Sequence, residues 1–170
     1  MTNTLNNNLE EIQSLSHTKN LLYDSYNDSI VGIAIFKGRT HIFEYVNTAY
    51  KKMAYREITI GKPARELFPE IEQQGYWQIL DNVFETGEPF IFNELPVDLI
   101  SKNNGKLEKR YLNVVIQALL DEHGKTEKIL SNILDVTHLV EARNNISDKE
   151  NKFHNIILQA PGLNTTFYGP

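Results

Sequence analysis

The sequence contains no cysteine. That excludes disulfides, thiolate zinc sites, iron–sulfur clusters and cysteine nucleophiles, and with them light sensing through a cysteinyl–flavin adduct. Long apolar runs are also missing. The longest uncharged one, residues 29–36 (SIVGIAIF), falls far short of the roughly 20 residues that cross a bilayer. No basic start followed by an apolar segment marks a secretory signal, so the expectation is a cytoplasmic chain without direct membrane insertion. Positive charge is not in excess either. Seventeen Lys and Arg stand against 22 Asp and Glu, a net charge of −5. A nucleic-acid binder concentrates positive charge to release counterions from phosphates, so no nucleic-acid partner is expected. What is present is a chain of 170 residues, 41% apolar and 10% aromatic. At roughly 100–200 residues per domain, that is one domain, or one domain and a fragment.

Residues 1–8 (MTNTLNNN) are polar and Asn-rich, and read as a frayed lead. Ile12, Leu15 and Leu22 then recur at helical spacing, a narrow stripe suited to covering a sheet or to pairing with a copy of itself. Residues 32–36 (GIAIF) and 41–46 (HIFEYV) are short β-like runs around a turn containing Gly38. Asn47 is placed to cap a short helix over 48–55, and Pro63 suits the first turn of a helix over 64–68. Tyr76–Thr86 has a helical apolar period that ends at Gly87.

Beyond Gly87 the period becomes two. Phe90–Ile100 is a strand whose Pro96 argues for a sheet edge or a bulge. Asn103-Asn104-Gly105 signals a turn before the strand 110–120. The turn 121–125 and a last strand over 127–136 follow. Strand 110–120 places Leu112, Val114, Ile116, Ala118 and Leu120 on one face and Tyr111, Asn113, Val115, Gln117 and Leu119 on the other. Both faces carry apolar groups, so each needs cover. The order of elements predicts an α+β fold: a five-stranded antiparallel sheet, short helices on one face, and flanking N-terminal and C-terminal helices.

From Leu139 the spacing alternates three and four through Ala142, Ile146, Lys149, Phe153, Ile156 and Ala160. This seam describes a connector helix that pairs with its copy in a homodimer. A helix docked on its own sheet carries nearly the same stripe, and that alternative stays open.

Tyr45-Val46-Asn47-x-x-Tyr50, Gly61-Lys62-Pro63, Glu66-Leu67-Phe68-Pro69-Glu70, Thr86-Gly87-Glu88-Pro89-Phe90, the strand from Tyr111 and Asp135-Val136-Thr137 follow one another in order. Together they resemble a PAS domain, of the type found N-terminal in multi-PAS or hybrid bacterial sensor histidine kinases. The resemblance covers residues 20–143 and departs at Ala118, where relatives often carry proline. It implies a lead over 1–20, a PAS domain over 21–137 and a connector over 138–158. Leu158-Gln159-Ala160-Pro161-Gly162 resembles the start of another repeat, and Leu22 to Gly38 superposes on Phe153 to Gly169. Residues 159–170 are therefore expected to be the truncated, irregular start of a second PAS module, with further PAS or kinase modules as downstream partners.

The resemblance also implies site residues. Asp135 and Thr137 are the candidates for signal relay, with an ordinary helix cap as the plainer reading of the same pair. A cavity between sheet and helices would be lined by Tyr50, Met53, Phe68, Trp77, Leu80 and Phe84, with Tyr111 or Asn113 facing in if the strand register holds. Aromatics at helical spacing describe a packed core equally well, and apolar periodicity does not separate the two. The cofactor is unknown. Haem is not expected, because no histidine falls in Tyr76–Thr86, the helix from which haem-binding relatives offer their ligand.

Catalytic and metal chemistry find no carriers. His17, His41, His123, His138 and His154 show no metal-ligand spacing and no phosphoacceptor context, and no glycine-rich nucleotide loop is present. The expected function is a non-catalytic sensory relay module that dimerises and offers its core to a small ligand. The alternatives are a ligand-free dimerisation spacer and, more remotely, a small enzyme using Asp98 or His123 as base.

Overall fold

The computed structural model describes residues 2–101 and 105–159. Its elements are α1 (Thr2–Asn27), β1 (Gly32–Lys37), β2 (Ile42–Val46), α2 (Thr48–Ala54), α3 (Ala64–Leu67), a 3₁₀ segment (Pro69–Gln74), α4 (Tyr76–Thr86), β3 (Phe90–Ile100), β4 (Leu107–Leu120), β5 (Thr126–Asp135) and α5 (Thr137–Gln159). The strands form one antiparallel sheet in the order β2-β1-β5-β4-β3. The last strand therefore lies at the centre of the sheet, between the two hairpins, and α5 leaves from that centre. Pro96 lies on the edge strand β3, which also bulges between Phe92 and Leu95.

Alternation along the strands decides the core. Leu112, Val114 and Ile116 of β4 are buried and face the short helices, together with Val97 and Leu99 of β3, Ala34 and Phe36 of β1, and Ile129 of β5. A smaller cluster of Ile33, Ile35 and Tyr45 occupies the opposite face, where Tyr23 of α1 packs on it. The Tyr23 and Tyr45 rings stack at 4.1 Å, and the Tyr45 hydroxyl donates to the Tyr23 carbonyl at 2.8 Å. Helix α1 thus covers the outer face over β1 and β2, whereas Gln117 and Leu119 on the outer face of β4 stay exposed.

Two expectations need correction. Residues 2–8 are not frayed but continue α1; once a helix is nucleated, each added residue gains a hydrogen bond at little cost, so weak helix formers are carried along. Pro63 is the residue before α3 rather than its first residue, with extended dihedrals and no side-chain cap. Of the turn at 103–105 only Gly105 is described, and its positive φ of 67° is what a turn glycine supplies. The expected start of a second module lies outside the described residues except for Gln159, the end of α5.

Asn47 holds the first half of the fold together. Its carbonyl oxygen accepts from the backbone N–H groups of Ile33 and Tyr50, each at 2.9 Å. Its amide donates to the carbonyls of Tyr26 at 2.9 Å and Val31 at 2.8 Å. One fully buried side chain thus caps α2 and fixes the end of α1 against the start of β1. Close packing at Gly32 completes the arrangement, since a Cβ there would stand 3.1 Å from the Tyr50 Cα. Asn47→Ala leaves four backbone groups without this partner. It should destabilise the domain by about 3 kcal/mol, the sum of a lost cap and unpaired buried groups, measured by denaturant unfolding.

Candidate functional site

Between the inner face of the sheet and the short helices lies a cavity of about 100 Å³. Tyr50, Met53 and Ala54 of α2, Phe68 ahead of the 3₁₀ segment, and Trp77 and Leu80 of α4 form its helical wall, with Leu112, Val114 and Ile116 opposite. The wall is almost wholly apolar. Arg56 fixes it from outside. It pairs with the largely buried Glu70 carboxylate, donates to the Leu67 carbonyl, and lies 4.5 Å over the Phe68 ring. Burial pushes the Tyr50 hydroxyl above its ordinary range, outweighing the nearby Arg56, so it stays a neutral donor. Burial also pushes the Tyr76 hydroxyl up, to about 12, and that hydroxyl donates to the Pro96 carbonyl.

Five of the expected lining residues, Tyr50, Met53, Phe68, Trp77 and Leu80, do line the cavity. Phe84 does not. It lies next to His41, ring centroids 6.1 Å apart, and faces a surface groove beside the turn between β4 and β5. Tyr111 and Asn113 do not face in either. Successive side chains alternate across a sheet, and the inner face belongs to Leu112 and Val114. Tyr111 lines a shallow groove against α5, and the Asn113 side chain accepts from the Glu94 N–H at 2.9 Å in the β3 bulge. His41 is fully buried, its Nε2 2.8 Å from Asp81, which ties the first hairpin to α4. Asp98 and His123 are not brought together. Asp98 pairs with Lys109 near one end of β4, and His123 lies in the turn beyond Leu120 at the other. At about 3.3 Å per residue, most of the strand separates them. Among the described residues no group of acidic or histidine side chains could hold a metal ion.

The second part of the site is the exit from the sheet. The Asp135 carboxylate accepts from the Thr137 N–H at 2.9 Å and the Thr137 hydroxyl at 2.5 Å through one oxygen, and from Arg110 at 2.9 Å through the other. The Thr137 hydroxyl in turn accepts from the Tyr111 N–H at 3.0 Å, and the Val136 N–H donates to the Tyr111 carbonyl at 2.9 Å. Helix α5 is thereby stitched to β4 at its first residue. Arg110 also reaches Glu108 and the Tyr55 hydroxyl, its guanidinium 4.5 Å over the Tyr55 ring. Tyr55 is the left-handed C-cap of α2, the helix that supplies Tyr50, Met53 and Ala54 to the cavity. Contacts therefore run unbroken from cavity wall to helix exit. Farther along α5, Arg143 forks onto Glu94 at 2.7 and 2.9 Å, and Glu94 occupies the β3 bulge at φ 58°. The sequence reading missed Arg110, Tyr55, Glu94 and Arg143. Only their neighbourhood was visible, as charged or aromatic residues beside a strand start, a cap and a Pro-containing strand.

Apart from Val140 and the Arg143–Glu94 pair, the described apolar residues of α5 are uncovered. Val140 is buried, whereas Leu139, Ile146, Phe153 and Ile156 are 59–67% exposed, and Ala142 is exposed as well. Docking on its own sheet therefore does not account for the seam.

These features converge on one fold family. The family model described as the PAS fold matches residues 26–141, and the chain belongs to that family as a PAS sensory domain. Solved structures agree on the fold. The PAS domain of BvgS from Bordetella pertussis is 15% identical with a TM-score of 0.56, covering 80% of this chain and 98% of that one. A sensory box histidine kinase/response regulator from Burkholderia thailandensis is 14% identical with a TM-score of 0.52, covering 77% and 95%. An RNA-binding light-oxygen-voltage receptor is 14% identical with a TM-score of 0.59; the match covers 81% of this chain but only 38% of that longer one.

Burial raises the affinity of Asp135 for its proton, but the hydrogen bonds from Thr137 and Arg110 outweigh it and hold the carboxyl below its ordinary range. Its stabilising contribution is therefore complete above the unfolded value near 3.9 and is lost as pH falls through the lower folded value. Asp135→Asn should cost about 1.5–3 kcal/mol at neutral pH, the range for hydrogen bonds to a charged group. The gap from wild type should narrow below about pH 4, read from melting temperatures of both proteins across that range.

Proposed function

We propose that this chain is a non-catalytic relay module of a bacterial signal-transduction protein of the sensor histidine kinase kind. In this reading it works on the cytoplasmic side, as a homodimer joined in line to further PAS or kinase modules. The state of the core cavity is passed through α2, Tyr55 and Arg110 to Asp135 and Thr137, and so to α5. The observation that carries the reading is the contrast within α5. Thr137, its first residue, makes three hydrogen bonds to Asp135 and Tyr111, and Val136 just before it makes a fourth, while the apolar seam beyond is uncovered.

A helix held at one end and paired along its length is a two-state element. Repacking that differs by a few kcal/mol is enough to shift its population. The seam Leu139, Ala142, Ile146, Phe153 and Ile156 supplies the partner face. Among the described residues, no helix is long and apolar enough to cross a membrane. A second reading, a ligand-free spacer that dimerises and transmits, is favoured by the modest size of the cavity, about 100 Å³. Ligand pockets for drug-sized molecules occupy roughly 300–1,000 Å³.

Pairing through α5 is tested by Ile146→Asp combined with Phe153→Asp. Two charges in the seam should shift sedimentation from dimer to monomer while the circular dichroism of the sheet is retained. A double variant that sediments as a dimer, like the wild type, removes α5 from the interface.

A further inference from the structure

The edge of the sheet at β3 is closed by side chains rather than by another strand. We propose that residues 69–76, the 3₁₀ segment with Gly75 and Tyr76, form a strap that blocks pairing between β3 and the β3 of a second copy of this chain. Assembly is thereby left to the helices.

By length and composition β3 is an edge at risk. It runs for 11 residues at the rim of the sheet, and Ile91, Phe92 and Ile100 on it are 37–65% exposed. A long apolar edge strand offers its unpaired N–H and C=O groups to any other strand. At the opposite rim the backbone itself supplies cover to β2. The Phe43 N–H donates to the Lys62 carbonyl at 3.0 Å, and the Phe43 carbonyl accepts from the Gly61 N–H at 2.8 Å.

Beside β3, side chains take that part. The Gln74 amide holds both backbone groups of Asp98: its Nε2 donates to the carbonyl and its Oε1 accepts from the N–H, each at 2.9 Å. That is the pair of bonds a neighbouring strand would make. Bonding sides alternate along an antiparallel strand, so Pro96 and Ile100 face the rim with Asp98. Pro96 has no N–H to offer, and its carbonyl accepts from the Tyr76 hydroxyl. The Ile100 N–H lies 3.5 Å from the Glu70 carboxylate. Ahead of Pro96 the bulge interrupts the edge and leaves Phe90–Phe92 as a short paired stub.

The strap is itself anchored. Gln74 Nε2 also donates to the Glu70 carbonyl at 2.8 Å, and Arg56 clamps the Glu70 carboxylate. Gly75, at φ 82°, turns the chain from the strap into α4. Stability alone does not call for this arrangement. Water satisfies exposed backbone groups, whereas ordering a glutamine side chain costs rotamer freedom. What the strap adds is exclusion of another strand.

The test is Gln74→Ala, made in the Ile146→Asp, Phe153→Asp background so that pairing through α5 does not contribute. Self-association should tighten by about tenfold relative to the same protein with Gln74, the worth of one to two recovered hydrogen bonds, read by sedimentation over a concentration series. Asp98→Pro removes the outward N–H and leaves the bonds to β4 in place, so adding it should reverse the gain. Gln74→Leu keeps the bulk of the side chain and takes the place of Gln74→Ala should that variant not fold. A folded variant with unchanged self-association overturns the inference, and so does tighter association that Asp98→Pro leaves in place. Neither result bears on pairing through α5, which the seam double variant tests by itself.

Discussion

A carboxylate must be satisfied at the point where the central strand stops and the exit helix begins. Asp135 meets that demand by taking hydrogen bonds from both sides of the boundary: Thr137 from the helix, Arg110 from the neighbouring strand. A half-buried charge deprived of these partners is costly, so neither side can move independently of the other. The Thr137 hydroxyl extends the constraint by accepting from the Tyr111 N–H. In effect the junction makes the first turn of α5 part of the sheet, and the direction of the helix is set by sheet geometry.

A chain of contacts leads from the cavity wall into this junction. Arg110 touches Tyr55, and Tyr55 closes the helix whose preceding turn lines the cavity. In the proposed relay, a shift of α2 reaches Asp135 through Tyr55 and Arg110. A second tie, Glu94 to Arg143, joins the β3 bulge to α5. It is largely exposed and contributes little by itself. Its importance is geometric, because β3 also lines the cavity on both sides of the bulge, through Phe90 and Leu95.

Much of the fold was legible from the chain because local and long-range signals agreed. Asn47 as a cap, α4 over residues 76–86, the strand over 90–100 with its Pro96 irregularity, and the period-two pattern of β4 are all read from spacing and turn chemistry. The inner face of β4 follows the same rule: Leu112, Val114 and Ile116 form the wholly aliphatic side and are the ones buried, so the expectation that Tyr111 or Asn113 faces in ran against the strand's own alternation. Phe84 shares the helical period of Trp77 and Leu80, yet it lies a turn farther along α4, beside His41 and outside the cavity. The Asp135–Arg110–Tyr55 chain joins residues 80 positions apart in sequence, and only tertiary packing brings them together. The α5 stripe fits pairing and docking equally well as a sequence, and only the exposure of Leu139, Ile146, Phe153 and Ile156 argues against docking.

The central claim, that α5 is mechanically part of the sheet at its first turn, is tested most directly by amide hydrogen exchange in Thr137→Val. This near-isosteric change removes the hydroxyl shared by Asp135 and Tyr111. The account predicts exchange about tenfold faster over residues 138–144, corresponding to roughly 1.4 kcal/mol of local stability, with β1 and β5 unchanged. Equal acceleration across the whole sheet, or no change in the helix, contradicts it.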